Sequence, residues 1–471
     1  MLASIFAKSM AERLSEHDLW WQLKTGQLIA ATHRLPAGDP FSFTVAGKHW
    51  VVQEWGSEVI LRAINAAFGL RGIIVWRSVM LLCIYAVLSW LLIRIAGNSL
   101  GTWVAIGIAA FAGIAEWLER PLLFSMLIFA IVLSLVYRRS RRVWLCVPLF
   151  VLWANLHAEV ILGLGFMVLI MLVEWLQARN GTGQAWVRKI ALVTVGCIAA
   201  TIINPYGPKL FVYAFSLTRT VSSSATEWAS PDFHQPLYLP FLILIALTVG
   251  VLAISRTERD LRDAVLTVTF LALGLYSIRN LPFAGMVLGT VVARHAPDAF
   301  PTAFNRGSES RGSVSFGQAP AVAGILVVSV VLGLIVWNKF PSSGSLSDVA
   351  DQSFPVATIA SLPSSGVRLF SDDRWAGLVI YMKWPGVHIA FDGRGDVYGK
   401  SIIADFQRTI TGSPGWETWL NETCATHVLI MASGGLAGPI LASSDWRVIR
   451  RDPLRGDEAI LLARARPAAG C

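Results

Sequence analysis

The sequence predicts an α-helical polytopic membrane protein with a C-terminal soluble α/β domain, and three observations support this prediction. Of the 471 residues, 55% are hydrophobic and only 15% are charged, whereas soluble proteins carry roughly a quarter charged residues. Most apolar residues lie in runs long enough to cross, or nearly cross, a bilayer. After residue 366 the composition becomes that of a soluble protein, and strand patterns alternate with helix patterns.

Residues 1–71 are predicted to form a loop outside the membrane that contains two amphipathic helices. Apolar and aromatic residues recur at helical spacing from Asp18 to Thr32 and again from Trp55 to Phe68. Between these helices the chain reads LPAGDPFSFTVAGKHW, and its Pro and Gly residues are typical of a loop or a short hairpin.

Residues 72–340 are predicted to form the membrane body, with about ten transmembrane passes. The apolar runs fall at 72–96, 100–118, 121–137, 143–157, 159–176, 188–204, 237–255, 263–278, 280–293 and 319–338. Several runs are short, so two of them are candidates for half-helices or tilted pieces.

The basic connectors orient this body. Arg and Lys gather at 138–142, 179–189, 256–262 and 294–311, and such connectors remain in the cytoplasm. The order of passes puts all four on one side, so the net charge of +9 orients helices and does not indicate a nucleic-acid partner. We therefore predict a multi-pass protein of the inner (plasma) membrane, with its N-terminal loop and C-terminal domain on the periplasmic, extracytoplasmic side.

This topology requires a membrane helix ahead of the external N-terminal loop. The opening residues, MLASIFAKSMAERLS, are too short and too charged to be one, and they lack the apolar core of a signal peptide. We expect a first transmembrane helix that this sequence lacks; the alternative is insertion with the N-terminus outside and no such helix.

A linker at 341–366, which opens PSSGSLSD, leads to a small domain at 367–471. Its alternating elements favour a partly parallel sheet. The predicted strands are VRLF, VHIAFD, THVLIM, WRVIRR and AILLARA, and the predicted helices are DDRWAGLVIYMKW, the segment from Ile402 to Thr409, and GLAGPILAS. The 5 cysteines are scattered, and their spacing indicates neither a metal site nor a disulfide framework.

An acidic pair stands at the start of the first predicted helix. Glu16 and Asp18 can share a divalent cation such as Mg²⁺ or Mn²⁺, or divide the roles of metal ligand and general base. They can equally well stabilise the helix that follows, because the helix dipole favours negative charge at its N-terminus. Asp39 is a further carboxylate of the same external segment.

The same segment supplies candidates for sugar binding. Glu54 adds another carboxylate, and Trp20 and Trp21 offer flat faces on which sugar rings stack. The alternative for the tryptophans is an interfacial belt, where indole rings commonly lie.

Charged residues at the external helix ends suggest a second group of substrate contacts, because charges in a membrane body are costly. Arg120 and Arg279 either neutralise nearby acids or bind a phosphate, whose geometry a guanidinium matches. His157, in WANLHAE, and Glu227, in the loop at 205–236, are further candidates. In the tail, Asp392 and Arg394 of FDGRGDVYG are predicted to form a structural ion pair. The sequence contains no GxSxG, P-loop, HExxH or CxxC motif, which removes the commonest hydrolase, nucleotide and zinc interpretations.

These motifs resemble a known class of proteins. An acidic pair in the first external loop, many helices behind it and a soluble external domain are similar to the GT-C class of membrane glycosyltransferases. The chain resembles most closely a bacterial subfamily with motifs of the type DxDxWW, DPFSYT, RPxLFS, WANLH, NPYG and DGRxDxYG. Here the matching stretches read EHDLWW, DPFSFT, RPLLFS, WANLHAE, NPYG and DGRGDVYG.

The resemblance implies a glycosyltransferase that uses a polyprenyl-phosphate sugar donor and a glycan, lipid or protein acceptor. It implies that Asp18 is the base or, with Glu16, a metal ligand, and that Asp39 is the rival base. It also implies that Arg279 contacts the lipid phosphate. The chain departs from the motifs at Glu16, Gln22 and Ala158–Glu159. Two alternatives are a transporter or flippase of lipid-linked intermediates, and a non-catalytic membrane anchor whose tail binds a partner.

Overall fold

The computed structural model describes residues 1–178, 183–213, 226–257, 260–304, 345–468 and 470–471. These residues divide into two compact units. The helical unit comprises the described residues of 1–12, 75–213 and 226–304, and the mixed unit comprises those of 13–74 and 345–471. The structure thus groups the N-terminal acidic segment with the tail.

The helical unit contains the membrane helices, in agreement with the predicted polytopic class. It holds α1 (Leu2–Ala11), the later part of α3 (Trp55–Ala96), α4 (Leu100–Phe111), α5 (Leu122–Tyr137), α6 (Cys146–Leu156), α7 (Val160–Gln177), α8 (Gln184–Ala200), α9 (Leu239–Ile254), α10 (Leu261–Tyr276) and α11 (Leu281–Ala299). Every predicted run up to residue 293 overlaps one of these helices, and the run at 319–338 lies outside the described residues. By length and composition, three described segments suffice to cross a membrane: Trp55–Ala96, Val160–Gln177 and Pro236–Ile254.

Helix α11 lies at the centre of this unit and is buried along most of its length. It packs closely on α4 because two glycines face that helix. A Cβ at Gly285 would lie 2.5 Å from the Ala109 carbonyl oxygen, and one at Gly289 would lie 2.7 Å from the Ala109 Cβ. Small residues at this spacing allow membrane helices to approach at short distance.

The residues ahead of the acidic pair form α1, whose ten residues are fewer than the roughly 20 that a span requires. Buried Arg77 attaches α1 to α3 by donating to the Ser9 carbonyl at 2.5 Å and the Glu12 carbonyl at 2.8 Å. Its Nη1 atom also pairs with buried Glu119 at 2.5 Å. The expectation of a separate first transmembrane helix concerns residues beyond this sequence and stays a prediction.

The mixed unit contains the predicted partly parallel sheet. Its strand order is β2-β1-β3-β5-β4; β1 pairs in parallel with β2 and β3, whereas β5 is antiparallel to β3 and β4. The strands are β1 (Val367–Ser371), β2 (Val387–Ile389), β3 (His427–Met431), β4 (Trp446–Leu454) and β5 (Asp457–Arg464). The helices are α2 (Leu19–Thr32), the start of α3, α12 (Leu346–Val349), α13 (Val356–Ala360), α14 (Asp373–Lys383), α15 (Gly395–Tyr398), α16 (Lys400–Ile410), α17 (Trp416–Glu422) and α18 (Ala437–Ala442).

The N-terminal segment packs directly on this sheet domain. Ser42 forms a parallel bridge with Ile389, so the DPFSFT stretch extends the sheet at its β2 edge. The Phe43 amide donates to the Ile389 carbonyl at 3.1 Å, and the Ile389 amide donates to the Phe41 carbonyl at 3.2 Å. Helix α2 packs on α14, where a Cβ at Gly377 would lie 2.5 Å from the His17 carbonyl oxygen.

One sequence prediction about the tail was wrong. Cys424 and Cys471 form a disulfide, although the cysteine spacing had indicated no such framework. The two residues are 47 positions apart and meet only because the chain after β5 returns to the loop that follows α17. Spacing along the chain does not reveal a contact of this kind.

Candidate active site

The acidic pair in the mixed unit has two distinct environments. Asp18 stands at the N-cap of α2, but its carboxylate makes no capping hydrogen bond to the helix backbone. Instead Asp18 Oδ1 accepts a hydrogen bond of 2.9 Å from the Trp21 indole N–H, and the side chain is half-buried. Glu16 is only 2% exposed, and its Oε1 accepts from the Asp18 amide at 3.3 Å.

Gly393, in the tail motif FDGRGDVYG, lies against the Asp18 carboxylate. A Cβ at this position would lie 2.1 Å from Asp18 Oδ1, well inside van der Waals contact. Only glycine leaves this space for the carboxylate. The Asp18 side chain is therefore positioned from both sides, by Trp21 and by the backbone at residue 393.

Asp39, the rival candidate base, is 3% exposed and heavily engaged. Its oxygens accept from the Phe41 amide at 3.2 Å, from the Ser42 amide at 3.0 Å and from the Ser42 hydroxyl at 2.5 Å. Arg394 Nη1 also lies 2.7 Å from Asp39 Oδ1, but no N–H of that atom points at an acceptor, so the contact is ionic. Asp39 thus has the environment of a structural anchor.

Arg394 connects the tail to the N-terminal segment. Its Nε and Nη2 atoms donate to Asp392 at 3.0 and 2.6 Å, which confirms the predicted ion pair. Its guanidinium lies 4.6 Å from the Trp50 ring centre and 4.9 Å from that of Phe41. Burial alone would lower the pKa of Arg394, but Asp392, Tyr398 and Asp39 raise it well above its usual value, so the side chain stays charged.

The other candidates in this unit lie deeper. Trp20 is 0% exposed, and its ring packs on Phe354 and Tyr381, as core residues do. Glu54 is buried, and its carboxylate accepts a hydrogen bond of 2.8 Å from the side-chain amide of Gln22. Trp21 is 8% exposed, so the structure leaves little of either indole face open to a sugar ring.

A second cluster gathers around Arg279 in the helical unit. Arg279 Nε donates to Glu159 and Nη1 donates to Glu227, both at 2.5 Å, and the guanidinium lies 5.5 Å from the Trp228 ring centre. Arg120 pairs with the other oxygen of Glu227. The structure therefore brings four separate sequence motifs to these helix ends.

His157 completes this cluster. Its Nε2 lies 3.2 Å from Arg279 Nη2, which can only donate, so Nε2 acts as an acceptor. The proton then belongs to Nδ1, which is 2.9 Å from the Ser125 hydroxyl oxygen. That oxygen also accepts from the Trp153 indole N–H at 2.7 Å, so the hydroxyl supports a single histidine tautomer.

The charges in this cluster nearly cancel. Two guanidiniums, Arg120 and Arg279, face three carboxylates, Glu116, Glu159 and Glu227. Burial would raise the pKa of Glu227, but Arg279 and Arg120 lower it to about 2. Each of the two guanidiniums therefore has at least two carboxylate partners.

The predicted site residues thus fall into two groups, one in each unit. Glu16, Asp18, Asp39, Glu54 and the two tryptophans lie in the mixed unit, and Arg120, His157, Glu227 and Arg279 lie in the helical unit. The prediction overlooked the contact of Gly393 with Asp18, and the bonds of Ser125 and Trp153 around His157. The motifs DGRGDVYG, RPLLFS and WANLHAE were the available signals, because each contains one of these partners. Within the described residues, no group of three or more His, Cys, Asp or Glu side chains could hold a metal ion.

The membrane helices, followed in the chain by a C-terminal sheet domain, resemble the GT-C fold of solved structures. The crystal structure of ArnT from Cupriavidus metallidurans bound to undecaprenyl phosphate is similar to the structure of this chain, with a TM-score of 0.52 and 12% identity, over 100% of this chain and 98% of that one. The apo structure of the same protein has a TM-score of 0.51 and 13% identity. The match covers 98% of this chain and 96% of that one. The structure of the arabinofuranosyltransferase AftD from Mycobacteria has a TM-score of 0.48 and 13% identity. The match covers 98% of this chain and 41% of that one. No protein-family model and no curated protein matches the sequence.

Proposed function

We propose that this chain is an integral membrane glycosyltransferase. It would move a sugar from a polyprenyl-phosphate-type lipid donor to a glycan, lipid or protein acceptor on the non-cytoplasmic side. The observation that carries the proposal is the half-buried Asp18 carboxylate, positioned by Trp21 and Gly393. The likeness in fold to ArnT, solved with undecaprenyl phosphate, supports the class of donor.

In the proposed reaction, Asp18 acts as the general base. It takes the proton of an acceptor hydroxyl, whose oxygen forms a bond to the anomeric carbon of the donor sugar. The bond between that carbon and the phosphate oxygen breaks, and its electron pair leaves with the polyprenyl phosphate. A positioned base contributes roughly 10²–10⁴-fold to such a step. Asp39 and Glu16 suit this role less well, because both are almost fully buried, whereas Asp18 is half-exposed.

Arg279 remains our candidate for the donor phosphate, with Arg120 as its neighbour. Carboxylates and phosphates present similar geometry to a guanidinium, so a phosphate can replace Glu227 on both arginines. His157 would then keep its hydrogen bond to Arg279 and orient the guanidinium. This role is separate from that of Asp18 and is tested separately.

Glu16 and Asp18 supply two carboxylates to a divalent metal. Mg²⁺ is commonly bound by one or two carboxylates together with substrate oxygens, so Mg²⁺ or Mn²⁺ is compatible with this pair. The displacement described above balances without a metal step.

The disulfide supports the proposed side of the membrane. Disulfides persist in oxidising compartments and are rare in the cytosol. The Cys424–Cys471 bond in the mixed unit therefore favours an extracytoplasmic position for that unit, as the positive-inside rule also predicts.

The test is sugar transfer from labelled polyprenyl-phosphate donors by the purified chain and by Asp18→Asn. Asparagine keeps an acceptor for the Trp21 N–H but cannot take a proton. We expect a loss of about two orders of magnitude or more in the rate of transfer, with an unchanged unfolding temperature. The matched control is Asp405→Asn, which removes a carboxylate paired with Arg408 on the surface of the same unit.

The result also distinguishes the other functional classes. Transfer that Asp18→Asn leaves intact would overturn the assignment of the base. Movement of lipid-linked sugar across vesicles without transfer would indicate a transporter. Neither activity, from a chain that is correctly folded, would indicate an anchor.

A further inference from the structure

The helical unit carries two adjoining cavities at helix ends that the positive-inside rule assigns to the cytoplasm. They lie away from the Arg279 cluster, which is at the opposite ends of helices α5, α10 and α11. The first is a groove of about 440 Å³ between α3 and α5, and the second is a basic cavity of about 460 Å³. Both are lined by Arg138.

The groove has the chemistry of a site for an acyl chain. Its walls are Ala86, Val87 and Trp90 on α3, and Ile131, Ser134 and Leu135 on α5. The Ser134 hydroxyl donates to the Ala130 carbonyl at 2.8 Å, so it does not make the wall polar. From Ile131 to Arg138 the helix rises roughly 10 Å, which leaves room for several methylene groups.

The basic cavity has the chemistry of a site for a phosphate head group. Four guanidiniums line it, those of Arg138, Arg139, Arg262 and Arg294, together with the carboxylate of Asp260. Three of the arginines already have carboxylate partners. Arg139 donates two hydrogen bonds to the Glu174 carboxylate, at 2.7 and 3.3 Å. Arg294 lies 3.1 Å from Asp260 and from Asp263. Arg262 lies 3.5 Å from Asp260.

Arg138 differs from these three arginines. It is exposed, and its guanidinium lies 4.6 Å from the Trp90 ring centre. Among the described residues it has no carboxylate partner. The four guanidiniums face three carboxylates, Asp260, Asp263 and Glu174, so one positive charge remains uncompensated, and it stands where the two cavities join.

From this arrangement we infer that the two cavities form a binding site for an anionic phospholipid of the cytoplasmic leaflet. The phosphate binds Arg138 at the junction, and one acyl chain lies in the groove beside Val87 and Trp90. A free phosphate or a soluble polyanion would use only the basic cavity, and the apolar groove that meets it favours a lipid. Basic pockets between membrane helices on this side bind acidic head groups. The inference does not depend on the proposed enzymatic function.

The test counts lipids bound to the purified full chain by native mass spectrometry. The chain is incubated with phosphatidylglycerol or with phosphatidylcholine of the same acyl composition. We expect phosphatidylglycerol to be retained at least tenfold better. Arg138→Gln should remove this preference, and Val87→Trp, which fills the groove and keeps every charge, should reduce the binding of both lipids. The matched control is Arg142→Gln, an exposed arginine of the same connector that does not line either cavity.

Three results would overturn the inference. The first is equal retention of the two lipids by the unaltered chain, and the second is an unchanged preference in Arg138→Gln. The third is displacement of phosphatidylglycerol by inorganic phosphate at equal concentration, which would identify a small-anion site. Gel filtration establishes that each variant is folded. Because Arg138→Gln alters charge and Val87→Trp alters shape, a variant that does not fold leaves the other as a valid test.

Discussion

Glu16 and Asp18 are chemically alike and two residues apart, yet their carboxylates have different surroundings. Glu16 is enclosed and accepts from the backbone, whereas Asp18 stays half-exposed beside Trp21 and Gly393. Glu16 lies ahead of α2 in a buried stretch of chain, whereas Asp18 occupies the N-cap position of the helix and stays half-exposed. Accessibility to a substrate therefore favours Asp18 as the base.

Gly393→Ala tests whether the tail positions this base. The new Cβ would lie 2.1 Å from Asp18 Oδ1, so the carboxylate must move. A misplacement of this size costs up to about 10²-fold in rate, and we expect a loss of that order in transfer, with little change in unfolding temperature. The control is Gly438→Ala, where an added Cβ would meet no atom within 4 Å. A Gly393→Ala enzyme as active as this control would refute the positioning role.

Glu227→Gln tests whether a phosphate replaces this carboxylate on Arg279 and Arg120. Removing the competing charge should lower the KM for the lipid-phosphate donor by about fivefold, because charge-assisted contacts of guanidinium are strong. The control is Asp232→Asn, an exposed acid of the same loop. A raised KM in Glu227→Gln would instead indicate that Glu227 has a structural role.

The pKa of Glu227 adds an expectation about pH. Because the folded pKa is lowered from 4.5 to about 2, its stabilising contribution is complete above pH 4.5 and is lost as the pH falls towards 2. Between pH 5 and 8 the carboxylate stays ionised. The donor KM of the unaltered chain should therefore show no step from this group in that range.

At the scale of elements, residues 41–44 act as an added edge of the tail sheet. Three-residue β2 would otherwise present an open edge, which sheets usually protect. The hydrogen bonds between Phe43, Phe41 and Ile389 close this edge and hold Asp39 within reach of Arg394. The DPFSF stretch is thus a structural connection between the two ends of the chain.

Phe43→Pro removes the amide that donates to the Ile389 carbonyl. The loss of one such bond costs about 1 kcal/mol, and we expect the Ile389 amide to exchange with solvent roughly five- to tenfold faster. Hydrogen exchange followed by mass spectrometry measures this rate. The control is Thr44→Val, which removes only the side-chain bond to the Ala390 carbonyl. Equal exchange in the two variants would show that the backbone pairing contributes little.

Elements with a strong local pattern were predicted well. Helices α2 and α14 and strands β1 and β3 lie within a residue or two of their predicted bounds, because their periodicity is set by neighbours in the chain. Strand β2 ends at Ile389 and is shorter than the predicted VHIAFD. Helix α3 joins two predicted elements across Gly69, whose φ of 65° and ψ of −172° are not helical.

At the scale of the whole molecule, the disulfide offers a test of sidedness. In intact cells treated with a membrane-impermeant reductant, we expect a membrane-impermeant maleimide to label Cys471. Ser140→Cys, in a basic connector predicted to be cytoplasmic, should be labelled only after permeabilisation. The opposite pattern would show that the positive-inside assignment is reversed. Mass spectrometry of tryptic peptides measures both.

Hydropathy and periodicity predict the membrane class, the approximate helices and the mixed sheet, because both are local properties of the sequence. The sequence also singled out the acids, arginines and histidine, because such residues are conspicuous in an apolar chain. The fold was needed to show which acid stays accessible and that Asp39 pairs with Arg394. It was also needed to show that Glu159 and Glu227 neutralise Arg279. These outcomes depend on contacts between residues far apart in the chain, and packing, not local pattern, brings such residues together.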